Sequence, residues 1–205
     1  MKLLIATHNP SKINEFKAFL APLNQYGIEI LTLSDLSITD EPEETGATFA
    51  ENAEIKAHYY AKKSGLPVLA DDGGFEIDAL DGEPGVKSNR WLGYKATDQQ
   101  LIDHTLQMMQ HIPEGKRQAR LKLCLYYFNP ANEYVAQQAA EIEGVVATAP
   151  SAYALKGFPF RALHLVGGIY YDQLTAEQHK AINHRRRAVQ AITPAILQDL
   201  NAENS

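Results

Sequence analysis

Three times the chain sets a threonine three residues ahead of a glutamate or glutamine, in Thr48-Phe49-Ala50-Glu51, Thr97-Asp98-Gln99-Gln100 and Thr175-Ala176-Glu177-Gln178. Each is a capping box, in which two side chains satisfy backbone N–H groups that a helix start leaves unpaired, so each fixes where a helix begins. The first predicts a helix to about Ser64, with Gly65 as its stop. The second predicts one through about His111. The third opens a last long helix through Asn183-His184-Arg185-Arg186-Arg187, which Pro194 kinks or restarts. A further start is Asn9 as N-cap with Pro10 at the first helical position, followed by Ile13, Phe16, Phe19 and Leu20 at helical spacing.

Short apolar runs separate these starts. Lys2 to Thr7, Ile28 to Leu33 and Pro67 to Ala70 read as strands, the last ending in Asp71-Asp72-Gly73-Gly74. Phe75 to Leu80 alternates apolar with acidic, and Asp81-Gly82 and Pro84-Gly85 mark turns. Gln118 to Phe128 and Tyr134 to Val146, joined by Asn129-Pro130-Ala131-Asn132, read as an antiparallel hairpin. Strands and helices alternate first and a long hairpin follows, so the fold class is α/β with a mixed sheet. The 205 residues hold no repeat, low-complexity tract or Pro/Ser-rich linker. One domain is expected, or one with two lobes and no firm boundary.

Charge narrows the function. With 19 Lys+Arg against 25 Asp+Glu, a net charge of −6 lacks the basic face that broad nucleic-acid binding needs. Any anionic ligand must be held locally. The single cysteine, Cys124, lies in the apolar run Leu121 to Phe128 and reads as a buried small side chain in a reducing cytoplasm. The start of the chain is far short of a signal peptide's apolar region, and no apolar run approaches the roughly 18 residues of a membrane span.

Four groups of residues carry candidate chemistry. The turn from Thr7 through His8, Asn9, Pro10 and Ser11 to Lys12 joins a strand to a helix N-terminus, where backbone, hydroxyl and ammonium donors suit a phosphate. It lacks the glycines of a Walker or Rossmann loop, and its plain reading is Asn9 as a cap with Lys12 solvated. Asp71-Asp72 sits at the carboxyl end of a buried strand, where open α/β sheets bind ligands, and strand alternation sends the two side chains to opposite faces. Paired carboxylates there suit Mg²⁺, with an acidic turn as the alternative. Asn52 and Lys56 share a helical face behind the acidic loop that holds Glu43 and Glu44, which are otherwise solvated charges. His184-Arg185-Arg186-Arg187 is the only dense basic cluster, either a surface patch or, for one or two members, a phosphate or base contact. Together these describe a metal-assisted site for a nucleoside triphosphate. No Ser-His-Asp order or zinc-ligand spacing competes.

Thr7-His8-Asn9 with Lys12 and Glu15, Glu43 to Ala53 with Lys56, Ala70-Asp71-Asp72-Gly73-Gly74, Pro84-Gly85-Val86, Ser88 with Arg90, and His184-Arg185 resemble, in order, the inosine/xanthosine triphosphate pyrophosphatase family. The resemblance implies an elongated α/β fold, a long mixed sheet flanked by helices, and two lobes with a deep active-site cleft. It implies a Mg²⁺-dependent homodimer that hydrolyses non-standard purine triphosphates (ITP, dITP, XTP) to monophosphate and pyrophosphate. Thr7 to Lys12 and Lys56 would then hold the triphosphate. Glu44 and Asp72 would bind Mg²⁺, Asp72 would also be the general base, and His184 and Arg185 would contact the base or its surroundings.

The departures fall on base recognition. Asp72-Gly73-Gly74 stands for the family's Asp-Ser-Gly, and Phe158-Pro159-Phe160-Arg161 for Phe-Gly-Tyr/Trp-Asp. Phe158 and Phe160 keep aromatic faces for stacking, while Arg161 replaces an acceptor by a donor. The family's Lys aligns with His179, next to Lys180, and its Ser with Asn183. Two other readings stay open: a pyrophosphatase for a different or modified pyrimidine triphosphate, and a catalytically silent nucleotide-binding protein.

Overall fold

A computed structural model of the chain describes residues 1–152 and 156–202. Its strands are β1 (Lys2–Ala6), β2 (Glu29–Thr32), β3 (Val68–Ile77), β4 (Gln118–Asn129), β5 (Tyr134–Val146), β6 (His164–Val166) and β7 (Ile169–Tyr170). They form one sheet in the order β2-β1-β3-β4-β5-β6-β7. β1 runs parallel to both neighbours, with Leu4 opposite Leu31 on one side and Val68 on the other. β5, β6 and β7 pair antiparallel, so the sheet is mixed as expected. The helices are α1 (Pro10–Leu20), α2 (Phe49–Ser64), α3 (Asp98–Met108), α4 (Ala176–Ile182) and α5 (His184–Ala202).

All three capping boxes form with both reciprocal bonds, and Gly65 ends α2 at φ 68. Asn9 caps α1, its side chain accepting from the N–H groups of Ser11 and Lys12. Three expectations need correction. The strand expected over Pro67 to Ala70 runs ten residues from Val68 to Ile77, so Asp71-Asp72-Gly73-Gly74 lies inside β3 and not at its end. Turn propensity there yields to buried partners, described below. The last helix is two helices: Asn183, at ψ 112, separates α4 from α5. Pro194 lies inside α5 without restarting it. α3 also stops at Met108, short of His111.

The chain divides into two compact units. The first comprises Met1–Asp72, Leu123–Ala140 and Arg185–Ser205. Its sheet is covered on both faces, which is why β1 is apolar throughout its four buried positions rather than alternating. Leu3, Ile5, Leu69, Leu125 and Tyr127 pack with Phe16 and Leu20 of α1 and Val189, Ile192 and Ile196 of α5. Leu4, Ala6, Val68, Ala70 and Tyr126 pack with Ala53, Ala57 and Tyr60 of α2. Buried Asp199 of α5 accepts from Tyr127 Oη at 2.6 Å, Asn129 Nδ2 at 2.8 Å and Asn132 Nδ2 at 2.7 Å, which fastens α5 to the end of β4 and the turn after it.

The second unit comprises Gly73–Lys122 and Glu141–His184. Phe75, Ile77, Leu101, Ile102, Leu121, Ile142, Leu163 and Tyr171 form its core. Buried Arg117 donates to the carbonyls of Met109, Ile112, Val146 and Ala147 at 2.7 to 3.1 Å, closing the segment after α3. Gly74 is where β3 meets the Gly85–Arg90 turn: a Cβ there would lie 2.2 Å from Ser88 Oγ and 2.6 Å from the Gly85 carbonyl. Among the described residues no helix is long and apolar enough to cross a membrane.

Candidate functional site

Strand parity places the first unit's charged groups. Leu69 faces α1 and α5, so Asp71, two residues on, faces them too; Val68 and Ala70 face α2, so Asp72 does as well. The expectation that the neighbouring carboxylates point to opposite faces holds, and each meets its own cations.

Asp71 is buried and accepts from Lys12 Nζ at 3.0 Å and Arg185 Nη2 at 3.2 Å. Arg185 also pairs with Glu15 of α1, and its guanidinium lies 5.6 Å from the Phe16 ring centre. Burial alone would raise the Asp71 pKa, but Lys12 and Arg185 more than offset it and hold the carboxyl well below its usual range. Lys12 is therefore an ion-pair partner whose side chain is 17% exposed, not a solvated first-turn charge. Arg185, 3% exposed, is gripped by carboxylates from two elements.

On the other face, Asp72 Oδ1 lies 3.1 Å from Lys56 Nζ, and the same ammonium lies 2.9 Å from Glu44 Oε1. Asp72 Oδ2 accepts from Asn52 Nδ2 at 3.3 Å. Burial raises the Asp72 pKa, Glu44 adds to the rise, and Lys56 and Lys12 only partly oppose it. Adjacent carboxyls are thus driven in opposite directions, the pattern by which proteins assign different acid–base roles to like groups. Burial lowers the Lys56 pKa, while Asp72 and Glu44 more than restore it, so Lys56 stays charged.

Among the described residues no three His, Cys, Asp or Glu gather into a metal cage. Glu44 and Asp72 are a pair of hard oxygen donors already gathered around one positive charge, and that fits a cation such as Mg²⁺, which is commonly held by one or two carboxylates with waters and phosphates.

The Thr7–Lys12 turn satisfies much of its own backbone. Asn9 Oδ1 takes the N–H groups of Ser11 and Lys12 at 2.9 and 3.2 Å, and Thr7 Oγ1 takes that of Asn9 at 3.2 Å. Pro10 has no N–H to offer. The turn brings the Lys12 ammonium and the Ser11 hydroxyl to the start of α1. His8 Nε2 lies 3.4 Å from the Asp40 carbonyl, which also accepts from Tyr60 Oη at 3.2 Å. The Asp40 carboxylate holds Tyr59 and Lys63, so the acidic loop is pinned to α2 at its start. That clasp was missed in the sequence, although Tyr59 and Lys63 stand four residues apart on one helix face.

In the second unit, the Arg161 guanidinium stacks 3.5 Å from the Phe158 ring centre and 5.3 Å from that of Tyr171. Phe160 is buried and stacks on Phe75 at 5.2 Å, which makes it a core side chain, while Phe158 is half-buried. His179 packs on Tyr171 at 4.4 Å and Lys180 is exposed. Gly73 continues β3 and is half-buried. His184, 4% exposed, opens α5, where Arg186 is half-buried and Arg187 exposed, so the basic cluster is not one surface patch.

The sequence profile of the Ham1 family matches residues 3–195. A dITP/XTP pyrophosphatase of Thermus thermophilus is 40% identical over 197 residues, spanning 95% of this chain and 91% of that protein. One from Shigella flexneri is 35% identical over 198 residues, spanning 95% and 98%. Among solved structures, a HAM1 protein from Coxiella burnetii superposes with a TM-score of 0.83 at 30% identity, covering 97% of this chain and 99% of that one. A nucleoside-triphosphatase / dITP/XTP pyrophosphatase from Mycobacterium abscessus gives 0.75 at 33% identity, covering 95% and 100%.

Proposed function

The chain belongs to the Ham1 family, and from that premise we propose that it hydrolyses non-standard purine nucleoside triphosphates (ITP, dITP and XTP) to monophosphate and pyrophosphate. The observation that carries the reading is one half-buried ammonium, Lys56, held between Glu44 and Asp72. Carboxylates that gather a cation, beside lysines that can meet phosphate, are what a triphosphate requires.

Glu44 and Asp72 would hold Mg²⁺ through their carboxylate oxygens. When bound, the metal supplies charge neutralisation on the phosphates and acidifies water. Lys12, Lys56 and the Thr7 to Ser11 turn bind and orient the phosphate chain. Asp72 accepts the proton of the water that attacks the α-phosphorus; a new P–O bond forms, the bond to the bridging oxygen breaks, and pyrophosphate leaves with that electron pair. A carboxyl whose pKa burial has raised is the stronger proton acceptor of the two neighbours. Asp71 holds Lys12 and Arg185 in place.

A second reading concerns the base. Arg161 offers only donors where related sites carry an acceptor, and its charge is stacked on Phe158; this favours a base rich in acceptors, including a modified pyrimidine. The test is a panel of triphosphates with Mg²⁺ and pyrophosphate detection. Preferential release from ITP, dITP and XTP supports the first reading and a pyrimidine preference the second. Orthophosphate alone, or no turnover, refutes both and leaves a binding protein. We also propose a homodimer, by analogy with the resembling family, to be checked by sedimentation. The buried free Cys124 is compatible with action in a reducing cytoplasm.

A further inference from the structure

We propose that Asn52, which neither binds metal nor meets phosphate in the reading above, is a positioning residue that sets the Asp72 carboxylate and the Glu44 segment relative to each other. It is 2% exposed and lies one helical turn ahead of Lys56 on the same face of α2. Its Oδ1 accepts the Gly46 N–H at 2.8 Å and its Nδ2 donates to Asp72 Oδ2 at 3.3 Å. Only this orientation of the amide pairs both ends, since the reverse would set NH₂ against N–H and oxygen against carboxylate.

The contact at Gly46 is close enough to exclude any side chain: a Cβ there would lie 2.7 Å from Asn52 Oδ1 and 2.7 Å from Glu51 Cβ. The next two N–H groups, of Ala47 and Thr48, both go to the Glu51 carboxylate at 2.6 and 3.2 Å. The backbone two residues beyond Glu44 is therefore stapled to the first turns of α2, with Asn52 as the staple that continues to Asp72. On Asp72 the two oxygens are held separately, Oδ1 by a charge and Oδ2 by this neutral amide. The amide fixes the rotation of the carboxylate without adding charge, which a second lysine could not do. One side chain thereby ties the proposed base to the segment bearing the other proposed metal ligand. Outer partners of this kind characteristically change metal affinity or turnover by about 10–100-fold when removed.

The inference rests on the function proposed above, and the experiment separates the two. Asn52→Ala and Asn52→Asp are compared with the parent chain. Asn52→Asp keeps the acceptor for Gly46 but sets a carboxylate against Asp72. In both, kcat with Mg²⁺ and ITP per folded molecule is expected to fall about 10–100-fold while KM changes less than about threefold. In Asn52→Ala, Mn²⁺ affinity measured by calorimetry with a non-hydrolysable α,β-methylene triphosphate is expected to weaken about tenfold. A side chain that merely supports the fold would lower the melting temperature and leave these ratios unmoved. Should Asn52→Ala not fold, Asn52→Asp carries the turnover test alone. The proposal is overturned if either folded variant keeps kcat within about twofold of the parent, or if Asn52→Ala keeps the parent's Mn²⁺ affinity. If the parent turns over no triphosphate, the functional reading falls and the Mn²⁺ titration alone decides on Asn52; a parent that binds no Mn²⁺ in that titration overturns the Asn52 proposal too.

Discussion

Asp71→Asn keeps the volume of the side chain and removes the charge that Lys12 and Arg185 share. Taking one partner out of a buried ion pair leaves the other charge uncompensated and costs about 3–5 kcal/mol. Two features of this site put the expectation at the low end: Arg185 retains Glu15, and the Lys12 side chain, 17% exposed, can turn toward water. The expected loss is therefore about 3 kcal/mol, which for a chain of this length lowers Tm by roughly 6–12 °C. Urea unfolding followed by circular dichroism measures it, and a double-mutant cycle with Lys12→Met isolates the pair, for which a coupling of about 1 kcal/mol or more is expected. An Asp71→Asn chain within about 1 kcal/mol of the parent, or effects strictly additive with Lys12→Met, would refute the claim that Asp71 organises these cations.

Asp72→Asn is expected to lower kcat about 100-fold or more, because a carboxamide can neither take the water's proton nor hold a metal as a charged ligand; unchanged pyrophosphate release removes Asp72 from the mechanism. Gly74→Ala forces a Cβ to 2.2 Å from Ser88 Oγ and 2.6 Å from a backbone carbonyl, so a loss of about 1–3 kcal/mol in urea unfolding is expected, and a loss below about 0.5 kcal/mol would mean that the turn yields freely. Burial pulls the His164 pKa from 6.5 down to about 4, against a weaker opposite pull from the Ile142 backbone. The unfolded chain then binds a proton that the native one refuses, so stability is full above pH 6.5, falls as pH drops toward 4, and is lower by roughly 3 kcal/mol beneath that. His164→Leu should flatten this limb, and an unchanged acid limb contradicts the assignment.

The legible parts of the fold were those encoded locally. Thr48 with Glu51, or Thr175 with Gln178, specify a helix start within four residues, and the structure keeps each of them. The Asp-Asp-Gly-Gly stretch misled because its local turn propensity is opposed by Lys12, Lys56, Asn52 and Arg185, which are distant along the chain and let the strand continue through buried charge. The break at Asn183 was hidden for a similar reason, since Asn183 is 2% exposed and its surroundings, not its helix propensity, set ψ. In the site, spacing placed Asn52 and Lys56 on one helical face behind the acidic loop, while the joining of Glu44 with Asp72 came from the family resemblance. The burial of Arg185 between Asp71 and Glu15 was not, because a run of His and three Arg in one helix carries no sign of which member turns inward.

The parity of β3 has a consequence for how this chain can change. Along a strand, removing or adding one residue exchanges the two faces for everything beyond it. A single-codon deletion between Val68 and Ala70 would move each carboxylate to its predecessor's place: Asp72 would stand where Asp71 meets Lys12 and Arg185, and Asp71 where Ala70 packs against α2. Gly73 would take the place of Asp72, so the carboxylate opposite Asn52 and Lys56 would be lost although both aspartates remain in the chain. Divergence in this segment is therefore confined to substitution, and its length is as much a part of the site as its two carboxylates.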